Sequence, residues 1–194
     1  LIRFSEQLIH RGFAYAYAVS AADITGNGAN DLIAVDTNVG LYLFENDGQG
    51  NFTHHVIHRR VGEWLERHAI ADIDGDGKLE VVSVDNTNGC LLYLECDGNP
   101  QDSASWKHNY ITEGELPGAY DLAVADLDGD GVLDVAASSW RIGNQFAWFE
   151  SRNGSWVKHM IEDHIGETRT VHAVDFDGDG LPDVLGTASA GNEV

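Results

Sequence analysis

Short apolar runs, separated by polar turns, return along this chain in a fixed order of four. Runs of the first kind are small and apolar: Ala69-Ile70-Ala71, Ala123-Val124-Ala125 and Ala173-Val174. The second kind is β-branched or alanine-rich: Leu32-Ile33-Ala34-Val35, Val81-Val82-Ser83-Val84 and Val135-Ala136-Ala137. The third ends on glutamate: Leu41-Tyr42-Leu43-Phe44-Glu45, Leu91-Leu92-Tyr93-Leu94-Glu95 and Phe146-Ala147-Trp148-Phe149-Glu150. The fourth opens on an aromatic residue, at Phe52 to Ile57, Trp106 to Ile111 and Trp156 to Ile161. Runs this short, bounded by turn residues, read as strands rather than helices. Hairpin signals join third to fourth: Asn46-Asp47-Gly48, Asp97-Gly98-Asn99 and Asn153-Gly154. Four antiparallel strands per unit make a propeller blade, and small side chains suit its crowded innermost strand. The expected fold class is all-β, a β-propeller of four-stranded antiparallel blades.

Between the first and second run of each unit lies an acidic loop, written four times. Its leading aspartates, Asp23, Asp72, Asp126 and Asp175, stand 49, 54 and 49 residues apart, a spacing typical of repeat architectures. Side-chain oxygens at positions 1, 3 and 5 of a tight loop converge on one hard cation, with a backbone carbonyl at 7 and a further carboxylate at 9. A glycine at 6 permits the sharp turn, as in the EF-hand loop. The flanks here are strands, and the last carboxylate falls at 9 rather than 12. The candidate ligands are Asp72, Asp74, Asp76, Lys78 (by its carbonyl) and Glu80; Asp126, Asp128, Asp130, Val132 and Asp134; and Asp175, Asp177, Asp179, Leu181 and Asp183. A degraded copy offers Asp23, Thr25, Asn27, Ala29 and Asp31, and is expected to be weaker or empty. Calcium is the natural occupant, because it accepts six to eight oxygens in flexible geometry.

The phased Asp-x-Asp-x-Asp-Gly-x-x-Asp loops resemble the FG-GAP or VCBS repeats of calcium-binding β-propellers, the family that includes the integrin α-chain head. The resemblance covers essentially the whole chain. It implies calcium between a blade's first and second strands, on the face opposite the usual ligand face, and a secreted or cell-surface protein. Such propellers usually have seven blades, so about half a ring is expected here. The expected divisions are 1–12 (outer strand of a preceding blade, at Phe4 to Ile9), 13–62, 63–115 and 116–165 (one blade each), and 166–194 (an incomplete blade). Offset by one repeat, Val194 falls at Gln145, just before a third strand. The remaining blades are expected from a longer chain or a second copy.

Charge changes the picture in one respect. The 194 residues hold 32 acidic and 11 basic side chains, a net charge of −21, and 14 of the acidic groups sit in the four loops. Much of the excess is thus local ligand charge, which would repel itself without metal. Such a surface argues against nucleic acid, which needs a basic stripe, and against anionic membranes. No apolar run approaches the roughly 20 residues of a membrane span. Cys90 and Cys96 flank a strand, out of disulfide reach, and are expected to be free.

The basic residues that exist gather in the loops expected at the channel mouth. Loops entering the first strand hold Tyr15, Tyr17, Arg59, Arg60, Trp64, Arg67, His68, Tyr120, Asp121, His164, Arg169 and His172; those after the second strand hold Asn86, Asn88, Trp140 and Arg141. Planar donors beside aromatics suit carbohydrate, and arginine suits carboxylate. The candidate ligand residues are Tyr17, Trp64, Arg67, His68, Tyr120, Trp140, Arg141, Arg169 and His172, for a carbohydrate or protein ligand. His55, His108 and His159 recur at one place in the fourth strand and are read as structural. If the mouth is catalytic, His68 beside Arg67 is the expected base with a tyrosine such as Tyr120 as acid. The leading expectation is a non-catalytic calcium-stabilised binding module; the alternative is a sugar-active lyase or hydro-lyase on the same fold.

Overall fold

A computed structural model describes residues 2–190, and its regular secondary structure is almost wholly strand. The first sheet takes β1 (Ala16–Ala22), β2 (Asp31–Asp36), β3 (Gly40–Asn46) and β4 (Phe52–Arg59) in that order. The second takes β5 (Leu65–Ala71), β6 (Glu80–Asp85), β7 (Cys90–Cys96) and β8 (Trp106–Thr112), with a single 3-10 turn at Ser103–Ser105 before β8. The third takes β9 (Ala119–Ala125), β10 (Asp134–Ser139), β11 (Gln145–Arg152) and β12 (Ser155–Glu162). A two-stranded sheet follows, β13 (Thr168–Val174) with β14 (Asp183–Ala188). Every pairing is antiparallel between neighbours in sequence, the arrangement of propeller blades.

The first strands β1, β5, β9 and β13 lie beside one another, and the sheets pack face to face. Between the second and third sheets Val82, Val84, Leu91, Leu116, Val135 and Phe149 form one buried cluster. Between the first and second, Ile33, Leu41, Leu43, Val81, Leu92 and Leu94 form another. The second strands β6 and β10 are buried on both faces, which explains why their sequences run apolar without alternation. Cys90 and Cys96, at the two ends of β7, are free thiols.

Each first strand carries a β-bulge at its mouth end. The register slips between Ala16 and Val19 in β1, between Leu65 and His68 in β5, beside Tyr120 in β9, and between Thr168 and Val171 in β13. A bulge re-aims the side chains within it. Those side chains include Tyr17, Arg67, Tyr120 and Arg169.

Two expectations need correction. Residues 4–9 form no strand. A fourth strand needs a third to pair with, and none of the described strands is left to serve it. The segment before β1 instead lays His10 and Phe13 on Tyr42, with ring centroids 6.1 and 4.9 Å away, on the outer face of the first sheet. The histidines also do not share one position. His55 stands opposite Leu43 and His159 opposite Trp148, but His108 stands opposite Leu94, one register step away; Asn109 takes the shared place. One step moves a side chain to the other face of a sheet. At the shared place His55, Asn109 and His159 meet the strand-ending Glu45, Glu95 and Glu150 at 3.3, 3.3 and 2.8 Å. His108 instead reaches His58 of the neighbouring sheet at 2.9 Å. The end of the last division, residues 191–194 with Val194, lies outside the described residues.

Candidate metal loops and channel mouth

The acidic loops are shaped by their glycines and closed by their own aspartates. Gly75 and Gly77 have φ of 77° and 90°, and the same pair recurs at Gly129 and Gly131 and at Gly178 and Gly180. Only glycine takes this left-handed backbone without strain, so two turns per loop fold its side chains inward. The position-1 aspartates accept backbone N–H groups from across the loop, as Asp72 does from Gly77 at 3.0 Å and Asp126 from Gly131 at 3.0 Å. The position-9 acid opens the second strand. Glu80 accepts from the Ile73 N–H at 2.9 Å, Asp134 from Leu127 at 3.0 Å and Asp183 from Phe176 at 2.9 Å.

In three loops the oxygens of positions 1, 3 and 9 converge. Asp72, Asp74 and Glu80 bring ligand atoms within 4.8 Å of one another, as do Asp126, Asp128 and Asp134, and Asp175, Asp177 and Asp183. The position-5 residues Asp76, Asp130 and Asp179 stand outside these groups. Each accepts the N–H of position 7, at Lys78, Val132 and Leu181, at 2.8 Å. Lys78 also turns its ammonium onto Asp76 at 3.2 Å.

The second loop carries the clearest test of fit. Glu80 is fully buried, and among the described residues its Oε1 has no hydrogen-bond partner; Asp72 Oδ1 is likewise buried and unpartnered there. Burial, with Asp74, Asp76 and Asp72 adding repulsion, pushes the Glu80 carboxyl up to about 7. Burial raises Asp134 as well. Buried carboxylates need a donor or a cation to offset the loss of water, and an all-oxygen set is what a hard divalent cation takes. The donor set therefore fits calcium. The first loop is different. Its Asp31 is saturated by the N–H groups of Ile24 and Thr25 and by the Thr25 hydroxyl at 3.0, 2.9 and 3.0 Å. Asn27 is spent on the Asn46 carbonyl at 2.9 Å and on the Ala29 N–H at 2.8 Å. Its polar groups are satisfied by the protein alone.

At the other end of the first strands, the bulges bring Tyr17, Arg67, Tyr120 and Arg169 together. The Tyr17 hydroxyl donates to Tyr120 Oη at 3.3 Å, and Arg67 Nη2 donates to the same oxygen at 3.3 Å. Burial raises the Tyr17 hydroxyl well above its ordinary value, with the Tyr120 bond adding to it. Burial also acts to raise Tyr120, but the bonds from Tyr17 and Arg67 outweigh it and the Tyr120 hydroxyl ends below its ordinary value. Arg67 lies 4.8 Å over the Tyr120 ring and 3.6 Å from Asp121. Arg169 lies 4.2 Å over Trp140 and 5.7 Å over Tyr120, and Arg141 lies 3.9 Å over Trp140. Glu167 takes the Trp140 indole N–H at 3.1 Å and Arg169 at 3.1 Å. Trp64 sits beneath Arg60 at 4.7 Å and donates its indole N–H to Glu66 at 2.8 Å.

Two sequence candidates stand apart from this group. His68 follows Arg67 in β5 and so faces the other way. Its Nε2 meets the Ile33 carbonyl of the first sheet at 3.2 Å, and burial pushes its ring down to about 4. The mouth base expected at His68 is therefore corrected: the ring belongs to the seam between two blades. His172 is exposed on β13, near enough to Asp121 to lower that carboxyl slightly against the larger effect of burial. The Asn86 amide donates to the Ala119 carbonyl at 3.0 Å and the Asn88 amide to the Asp85 carboxylate, so both are engaged within the loops. The bulges themselves left no mark in the sequence. Neither did a cleft of about 500 Å³ between the second and third acidic loops, lined by Asp74, Tyr93, Asp130 and Trp156.

Comparison with known proteins agrees with this geometry. The family model described as FG-GAP-like repeat matches three overlapping stretches, residues 23–83, 72–137 and 126–186. Each match opens on the leading aspartate of an acidic loop and runs past the next loop into its second strand. No curated protein matches the chain.

Proposed function

This chain belongs to the FG-GAP-like repeat family, and from that premise we propose that it is a calcium-stabilised extracellular binding module. Its repeats make a propeller-like scaffold with acidic clusters able to hold a metal. The observation that carries the calcium reading is the buried pair of unpartnered oxygens, Asp72 Oδ1 and Glu80 Oε1, inside a three-carboxylate cluster. Asp72, Asp74 and Glu80 would hold the ion in the second loop, with the corresponding acids in the third and fourth. Calcium would neutralise the loop charge and pin each first strand to its second. No helix of the described residues is long and apolar enough to cross a membrane. The ligand, carbohydrate or protein, would bind at the opposite end, on the arginine and aromatic side chains of the bulges.

Calcium that binds the folded state alone stabilises it by about 2.7 kcal/mol per site at a free concentration a hundredfold above the dissociation constant. Excess chelator is therefore expected to lower the melting temperature markedly. An unchanged melt in chelator would remove calcium from this reading.

One observation favours a second reading, a lyase or hydro-lyase acting on sugars. Tyr120, held below its ordinary value between Tyr17 and Arg67, has the makings of a proton-transfer group. A rise in ultraviolet absorbance from unsaturated products of uronic-acid polysaccharides would favour it, and a flat trace would leave the binding module.

A further inference from the structure

Three guanidinium groups at the channel mouth are spaced by aromatic rings into one ladder. Arg141 lies on Trp140, Trp140 on Arg169, Arg169 on Tyr120 and Tyr120 on Arg67, at 3.9, 4.2, 5.7 and 4.8 Å. The residues come from three sheets. In a chain of net charge −21 this is a concentration of the scarce sign. Two carboxylates answer it, Asp121 at 3.6 Å from Arg67 and Glu167 at 3.1 Å from Arg169 and 4.0 Å from Arg141. Each guanidinium offers five donors in a planar fork, so donors outnumber the acceptors at hand. Among the described residues Arg67 Nε is buried without a partner, and the Arg141 side chain is 65% exposed. Rings stacked on the guanidiniums hold them in place, so less entropy is lost when an anion arrives.

We propose that this ladder binds an oligosaccharide of uronic acids, its ring-fixed carboxylates on the guanidiniums of Arg67, Arg169 and Arg141. The proposal rests on the mouth being the ligand site and narrows the class of ligand. A planar carboxylate fits an arginine fork through two parallel hydrogen bonds. On a sugar that carboxylate is fixed to the ring, whereas on a peptide it hangs from a stem whose rotamers must be frozen. The sugar hydroxyls find acceptors in Asp121 and Glu167. Beside the ladder the Tyr15 ring, 51% exposed, offers a flat apolar face to the C–H side of a pyranose.

Calorimetric titration of the chain, saturated with calcium throughout, tests this with three probes: trigalacturonic acid, its neutral methyl ester, and triglutamate. The acid is expected to bind at least tenfold more tightly than the ester or the peptide. Arg169→Gln and Arg141→Gln are each expected to weaken it about tenfold, as loss of a charge-assisted hydrogen bond does. Arg152→Gln, an exposed arginine on the hairpin between β11 and β12, leaves binding unchanged. Melting temperatures matched to the parent show that the variants fold. Ester bound as tightly as acid, and weakened by Arg169→Gln, overturns the anionic specificity while the mouth remains the ligand site. Acid binding indifferent to both arginine substitutions overturns the proposal together with the mouth reading; no binding of any probe overturns the proposal alone. Tighter binding of triglutamate overturns the saccharide class.

Discussion

His68 and Arg67 are neighbours in β5 with opposite fates. Alternation sends Arg67 to the channel mouth and His68 into the seam, where its Nε2–H donates to the Ile33 carbonyl and burial drives its pKa to about 4. The unfolded chain, near the ordinary value of 6.5, binds more protons than the folded one between those limits. Stability from this residue is therefore complete above about pH 6.5 and lost as pH falls toward 4, worth at most about 3 kcal/mol. His58 is lowered in the same direction, by burial and then by His108, and His108 by burial. His68→Gln keeps a donor for Ile33 and removes the titration. With calcium held constant, its melting temperature is expected to fall less steeply from pH 6.5 to 4 than the parent's. Parallel slopes would show that His68 is not buried in the neutral form. At this scale the acidic clusters were legible in part: the spacing pointed to side chains 1, 3, 5 and 9, of which 1, 3 and 9 converge while 5 turns to the position-7 N–H. The mouth was not. Which face Arg67 and His68 take depends on a bulge that no residue type announces.

The elements were legible because each run and turn recurs, so one clear copy interprets a weaker one. The exception is the stretch at residues 4–9, where the local pattern says strand and no partner strand follows from it. At this scale Gly118, just ahead of β9, joins fold to mouth. Its φ is 75°, and a Cβ built there runs into the Trp140 carbonyl, while its own carbonyl accepts the Trp140 N–H at 2.8 Å. Gly114 has nearly the same φ, 78°, with open space around it. Gly114→Ala thus carries backbone strain alone, of order 1 kcal/mol. Gly118→Ala carries strain and collision and is expected to cost about 1–3 kcal/mol more. It should also disturb ligand binding by displacing Trp140. Equal melting temperatures for the two variants would show that the Trp140 loop yields easily.

Across the whole molecule, one end of the blades is a row of acidic loops and the other a ring of arginine and aromatic side chains. Strands of seven residues or so separate them, and they share each first strand as a strut. Composition announced the first end through the loop carboxylates, and the family match follows the same phase. The second end is assembled from residues far apart in sequence, such as Tyr17 and Tyr120, and only the packing of blades brings them to 3.3 Å. The central claim of the proposed function is a cation in three of the four loops, where three carboxylates converge. The measurement that tests it most directly is calorimetric titration of calcium into the chelator-stripped chain. Three sites are expected, at residues 72–80, 126–134 and 175–183, with the loop at 23–31 silent because Thr25 and Asn27 already satisfy its hydrogen bonds. Replacing both by aspartate, Thr25→Asp with Asn27→Asp, is expected to add a fourth. One site or none in the parent chain would contradict the account.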